Sequence, residues 1–362
     1  MSSVPLWDGA LNAAIDKLAR NVNNSAFPHI AEADAREWEV TNDGVWTGGF
    51  WVGLLWMAFA ETRDTTFGAS ARDHLTRLSP ATSKAPNHDL GMMFGPSALV
   101  GWRLTSDPAY RYMALEAAKT LASQVHPLSH MIPGWGFFGG EEWKDKVLVD
   151  TLMNVPLLLW AAEESDEELS QVALGHIRRS VASHIREDGS TAHVVQFNTE
   201  TGEVVGENTY QGLGSHSCWT RGQAWAMAGL AVIAEHTLLD EYVPVASRVS
   251  QYFWDQTQGA APPWDFSDPK GPRDTAAGSI ASYAMLRLGA ISNNDLWRTR
   301  GLTLLELLVR QYQASQSQPF ILGGQTADLP HGHAIEGGTV YGDYFYVRAL
   351  QLALGRNFPE GF

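Results

Sequence analysis

The chain of 362 residues has a single cysteine, Cys218, so no disulfide can form within it. It has no uninterrupted apolar run of membrane-spanning length, and its first residues carry neither the basic nor the apolar region of a secretory leader. No Pro/Ser-rich linker or low-complexity stretch divides it, so 1–362 reads as one domain. Lys and Arg are scarce, 25 against 40 Asp and Glu, for a net charge of −15. Those few cations are scattered, whereas phosphate binding needs them clustered, so nucleic acid is not the expected partner. A solvated acidic surface is the simple reading of the charge. A soluble, cytoplasmic protein with no membrane partner is expected.

What the chain does contain is apolar and aromatic: 44% hydrophobic residues, with 14 Trp, 10 Tyr and 14 Phe. Six times a polar or aromatic cluster runs straight into a helix rich in Gly, Ala and large apolar residues. The clusters are Trp46-Thr47-Gly48-Gly49, His88-Asp89-Leu90-Gly91, Val149-Asp150-Thr151, Cys218-Trp219-Thr220-Arg221, Arg273-Asp274-Thr275 and Tyr341-Gly342-Asp343. A helix that is apolar nearly all round must be buried. Between these lie amphipathic segments at about 7–21, 64–79, 107–125, 166–185, 240–255 and 292–313, with start signals at Ser106-Asp107-Pro108 and Ser165-Asp166. Inner and outer helices alternating at a period of roughly 40 to 65 residues predict an all-α (α/α)6 barrel of six helical hairpins. The six decorated helix starts then face one place, the expected active site. The one strand-like stretch, about 191–206 with a Glu200-Thr201-Gly202 turn, predicts a small β-hairpin near the barrel mouth.

Several constellations have bland readings. Asp89 and Asp150 each stand where Asp is a favoured helix N-cap. Trp46, Trp219 and Trp225 suit the C–H faces of sugar rings, and equally suit a core. His331-Gly332-His333 has no third ligand at metal spacing and reads as a loop. Cys218 near His216 has nothing visible to activate a thiol. Gly48-Gly49 and Gly139-Gly140 lack the strand and helix of a phosphate loop. No metal and no cofactor are expected.

Taken in order, Trp46-Thr47-Gly48-Gly49-Phe50-Trp51-Val52-Gly53, His88-Asp89-Leu90-Gly91, Asp150-Thr151-Leu152-Met153-Asn154-Val155-Pro156, Asp188-Gly189-Ser190-Thr191-Ala192-His193, Gln211-Gly212 with Trp219-Thr220-Arg221-Gly222-Gln223-Ala224-Trp225, and Trp264-Asp265-Phe266 with Arg273-Asp274 form a pattern. It resembles that of the unsaturated glucuronyl hydrolases, glycoside hydrolase family 88, from about residue 40 to 355. The resemblance implies the same barrel. It also implies a partner, an oligosaccharide ending in a Δ4,5-unsaturated uronic acid left by a polysaccharide lyase. The implied reaction protonates C4 of the vinyl ether, adds water at C5, and lets the hemiketal open and expel the remaining sugar.

By the same resemblance, Asp150 is the general acid and then base, and Asp89 is a second required carboxylate. Burial among Trp residues and repulsion from Asp89 are expected to keep Asp150 protonated near neutral pH. Trp46 and Trp135 are implied as stacking walls, His193 as a partner of the substrate carboxylate and attacking water, and Gln211, Trp219, Arg221 and Trp225 as substrate contacts. The planar fork of Arg221 suits a carboxylate. His88 is expected to orient Asp89. Departures from the family pattern fall on the rim: Tyr210 where His is frequent, Gly48 for Asp, Val52 for Pro, and Thr339-Val340-Tyr341-Gly342-Asp343 near the end. They leave substrate preference open. An unsaturated rhamnogalacturonyl hydrolase is the near alternative; a sugar 2-epimerase would need paired catalytic His, and a non-catalytic glycan-binding barrel would have lost a carboxylate.

Overall fold

The structure, a computed structural model, describes residues 4–134, 140–164, 167–237 and 241–362. Its helices are α1 (Val4–Asn21), α2 (Gly48–Thr62), α3 (Thr65–Leu78), α4 (Leu90–Phe94), α5 (Val100–Thr105), α6 (Pro108–Ala122), α7 (Val155–Glu164), α8 (Glu167–His184), α9 (Thr220–Thr237), α10 (Tyr242–Thr257), α11 (Thr275–Ile291), α12 (Asp295–Tyr312) and α13 (Val340–Ala353). A π-helical turn, Gly95–Leu99, joins α4 to α5. Pro96 lies in that turn and supplies no backbone N–H, which is a sufficient cause for a break in the α ladder. With α4 to α5 counted as one interrupted helix, twelve helices alternate among the described residues.

Burial separates the two rings. Residues 220–234 of α9, 275–289 of α11 and 340–351 of α13 are buried on every face. The outer helices bury one stripe only: in α10 it is Tyr242, Ala246, Val249, Ser250, Phe253 and Thr257, at the i, i+3, i+4 spacing of an amphipathic helix. The inner ring closes because α2 packs on the α4 to α5 helix, α4 on α7, α7 on α9, α9 on α11, α11 on α13, and α13 back on α2. This is the six-hairpin barrel. Outer starts match the expected chemistry: Asp107 caps α6, accepting from the Ala109 N–H, with Pro108 at the first helical position. The other expected start, Ser165-Asp166, lies outside the described residues.

The expectation of a single strand-like stretch was too small. Two three-stranded antiparallel sheets sit among the loops. In one, β1 (Phe27–Ala31) lies between β2 (Glu39–Thr41) and β6 (Gly338–Thr339). In the other, β3 (Lys146–Leu148), β4 (Val194–Phe197) and β5 (Val204–Asn208) are paired in that order. The β4–β5 pair is the expected hairpin, with Gly202 at φ +74 in its turn, and β3 extends it. At the other end of the inner helices Glu360 is paired with Arg287 and Arg348, each at 2.6 Å. Among the described residues no helix is long and apolar enough to cross a membrane.

Candidate active site

One cavity at the starts of the inner helices, about 170 Å³, is lined by Trp46, His88, Asp89, Asp150, Gln211, Trp219, Arg221, Trp225 and Tyr341, together with His29 and Ile30 of β1, Glu39 of β2, Leu148 of β3 and the loop residues Ala327, Asp328 and His333. It is smaller than the roughly 300–1,000 Å³ of ordinary small-molecule sites, a size that fits the end of a chain better than its middle. Five of the six decorated helix starts contribute a lining residue. The sixth, Arg273-Asp274, acts through Arg221.

Local structure explains how the two carboxylates meet. Asp89 occupies the N-cap position of α4, yet its side chain makes no capping bond. Asp150 lies in a 3-10 turn, Val149–Met153, that follows β3 and is tied to β4 by the Val149 N–H donating to His193 O at 2.9 Å. The bland reading of both residues as helix caps is therefore not what their carboxylates do. Gly91 lets the first turn of α4 lie against this second segment: a Cβ there would come within 2.2 Å of the Asn154 carbonyl oxygen. Asn154 stitches the two together, its Oδ1 accepting from the Met92 N–H at 2.8 Å and its amide donating to the Asp150 carbonyl at 3.4 Å.

Between the carboxylates stands His88. Its Nε2 is 3.3 Å from Asp89 Oδ1 and 3.5 Å from Asp150 Oδ1, and the side chains of His88 and Asp89 are almost fully buried while that of Asp150 is 15% exposed. Burial alone would lower the pKa of His88, but the charge of Asp89 and the bond and charge of Asp150 outweigh it and raise it to about 9. The imidazole is thus a cation at neutral pH. A cation therefore stands between the two carboxylates, with Nε2 within 3.5 Å of an oxygen of each. The three groups are also a donor set that a metal ion could use, with one ligand atom from each residue, all within 4.8 Å of one another. A proton on His88 serves the same electrostatic purpose.

His193 does not line the cavity. It lies beneath Trp219 at 4.3 Å between ring centroids. Its Nδ1 takes the Tyr210 N–H at 3.3 Å and contacts Thr209 Oγ1 at 3.0 Å, which puts the ring proton on Nε2, a buried donor with no protein partner. Burial lowers its pKa to about 3, Asp150 opposing, so the ring is neutral. Trp219 and Trp225 are 4% and 1% exposed, as much core as wall. Trp46 stacks on Tyr341 at 5.1 Å. The Gln211 amide donates to Ala327 O at 2.9 Å.

Arg221 lines the cavity, but its fork is already engaged. It donates to Asp274 Oδ2 and to Thr326 O at 2.5 Å each and to Ala327 O, with its plane over Trp219 at 4.6 Å. Arg221 also anchors the 326–328 loop to the α11 cap, where Asp274 accepts from the Ala276 and Ala277 N–H groups, so three of its five N–H donors are held within the protein. Trp135, the other expected wall, lies outside the described residues. Cys218 is inert as its sequence suggested, since burial pushes its thiol up to about 12.

The lining residues missed in the sequence, His29, Glu39, Asp328 and His333, come from loops and short strands far apart in the chain. His331-Gly332-His333 is a loop, as read, yet it carries His333 to the cavity, and His331 pairs with Asp328 at 2.8 Å and stacks on Tyr210 at 4.3 Å. The Tyr210 departure therefore packs between His331 and Trp143.

A helical barrel with paired carboxylates at its mouth is the architecture of a sugar-processing hydrolase, and comparison with known proteins narrows the class. Residues 15–267 match Glycosyl Hydrolase Family 88. The chain is 30% identical to the unsaturated glucuronyl hydrolase of Bacillus sp. (strain GL1), over 95% of this chain and 96% of that protein. It is 29% identical to the unsaturated chondroitin disaccharide hydrolase of Streptococcus pyogenes serotype M1, over 94% and 89%. The crystal structure of the Bacillus sp. GL1 enzyme superposes with a TM-score of 0.90 at 26% identity, covering 95% of this chain and 96% of that one. The chain belongs to glycosyl hydrolase family 88 and is a glycoside hydrolase.

Proposed function

We propose that this enzyme removes a Δ4,5-unsaturated uronic acid from the non-reducing end of lyase-generated oligosaccharides by hydrating the C4=C5 bond. The observation that carries the reading is the placement of His88 Nε2 between Asp89 and Asp150, with neither carboxylate spent on capping a helix. An enol ether needs one proton delivered at carbon and one water activated, and a carboxylate backed by an imidazolium can do both.

In the resting enzyme the proton is on His88. It passes to Asp150, which delivers it to C4 as the C4=C5 electron pair forms the new C–H bond. The positive charge left on C5 and the ring oxygen faces two carboxylates. Water adds at C5, its proton goes to Asp150 and returns to His88, and the resulting hemiketal opens to a ketone at C5 and releases the aglycone from C1. Atoms balance with one water consumed. The Nε2–H of His193 is a buried donor close enough to Asp150 to feel its charge, and from behind the cavity lining it acts on the reaction through Asp150. Trp46 is the stacking wall, with Trp219, Trp225 and Gln211 shaping the pocket. Arg221 acts through the 326–328 loop.

The carboxylates suit this better than direct glycosidic hydrolysis. Their oxygens lie within 4.8 Å, too close for the roughly 6.5–9.5 Å of an inverting pair. A retaining pair must flank the scissile bond, whereas these two bind one nitrogen and present together. Residues 1–362 act as one catalytic domain, and a single buried cysteine fits a cytoplasmic setting.

The test is Asp150→Asn on unsaturated disaccharides, followed by loss of the conjugated C=C absorbance. Asn preserves shape but transfers no proton, so the rate should fall at least about 10²-fold with the fold intact. A near wild-type rate would remove Asp150 from the chemistry.

A further inference from the structure

Four carboxylates line the cavity. Glu39, exposed on β2, and Asp328, on the loop anchored by Arg221, both line it, while Asp89 and Asp150 occupy its depth. Arg221 is the one Lys or Arg among the described lining residues, and its charge is paired with Asp274 at 2.5 Å. None of the residues outside the described set is Lys or Arg, so they bring no further cationic side chain. Outside the lining, Lys146 lies over Trp143, which packs edge-on against Tyr210, and is paired with Asp145 at 3.5 Å, while a separate hollow that shares Trp46 is lined by Arg77 and Lys84. There Arg77 is paired with Asp73 at 2.9 Å and donates to Ser25 O.

From this we infer that the enzyme selects an uncharged aglycone, so that its substrates are unsaturated disaccharides whose second sugar carries no sulfate. The inference rests on the proposed function and deepens it. The uronate supplies one negative charge, which every substrate of this reaction carries. A sulfate on the next sugar adds a second beside Glu39 and Asp328, and the one lining guanidinium is already paired with Asp274. Like charges juxtaposed at a binding rim discriminate strongly between ligands of otherwise equal shape. An exposed rim is also screened by salt, so the discrimination should shrink as ionic strength rises.

The experiment measures kcat/KM for unsulfated, 4-sulfated and 6-sulfated unsaturated disaccharides of one backbone at one fixed pH and at low and high salt. The unsulfated compound should be favoured at least about tenfold, and the ratio should fall several-fold in Glu39→Gln and further in Glu39→Lys. Equal or faster turnover of a sulfated compound by the wild type would overturn the inference. So would an unchanged ratio in Glu39→Lys, which is on an exposed strand and leaves the loop of Asp328 intact. Turnover of none of the three compounds would instead contradict the proposed function, so the two failures are distinguishable.

Discussion

Replacing Asp89 by Asn keeps the shape of the side chain beside His88 and removes its charge. In the folded protein His88 is raised from 6.5 to about 9, a difference of about 2.5 units. At 1.36 kcal/mol per unit this is roughly 3 kcal/mol in favour of the imidazolium. Burial acts the other way, so the two carboxylates together supply more than that, and the charge of Asp89 is the largest single raising cause. An opposite charge at 3.3 Å is typically worth about 1–3 units. The pKa of His88 should therefore drop by roughly that amount in Asp89→Asn. The sign follows from the group being raised: the proton is held at neutral pH and lost as pH rises through about 9, so the alkaline limb of kcat should move to lower pH in the variant. The assay is kcat against pH on an unsaturated disaccharide, with the His88 imidazole followed by NMR in the same variant in case turnover is too slow. A limb and an imidazole titration that stay in place would refute the shared-proton reasoning.

Acid should destabilise the fold steeply. Burial is the leading cause that lowers His29 to about 4, His176 to about 3, His184 to about 4 and His193 to about 3, so the unfolded chain takes up protons below about pH 6.5 that the native state refuses. Four such groups give a slope of up to about 5 kcal/mol per pH unit between about pH 6 and 4; His88, raised, does not add to it, and its own stabilisation is full below about 6.5 and lost toward 9. Denaturant unfolding at several pH values checks this, and a flat profile would contradict it. Asn154→Ala leaves the buried Met92 N–H without its acceptor and should cost about 1–3 kcal/mol in unfolding while lowering kcat, because the Asp150 turn loses its tie to α4. Unchanged kcat in a folded Asn154→Ala variant would show that the tie does not position Asp150.

The barrel was legible because its signal is long and repeated. Helices buried all round, such as α9 and α11, and striped ones, such as α10, differ in composition over a dozen or more residues. The two sheets were not legible for the opposite reason. Strands β2, β3 and β6 are three, three and two residues long, and β1 pairs with β6 across most of the chain. No alternation can show over that length. Asp89 and Asp150 stood out as local motifs, but the bridging of both by His88 is a property of two helix starts brought together by Gly91 and Asn154. Arg221 shows the limit most plainly. Its motif marks it as a site residue, while its partners, Asp274 and the carbonyls of 326 and 327, lie more than fifty positions away and decide what its fork is free to do.

The most direct test of hydration at the His88, Asp89 and Asp150 unit is to follow solvent atoms into the product. With an unsaturated disaccharide turned over in D₂O, deuterium should appear at C4, and in H₂¹⁸O the label should enter at C5, while the matching saturated glucuronide is left uncleaved. Oxygen label at the anomeric C1, or efficient cleavage of the saturated compound, would place the attack at the glycosidic carbon and contradict the account.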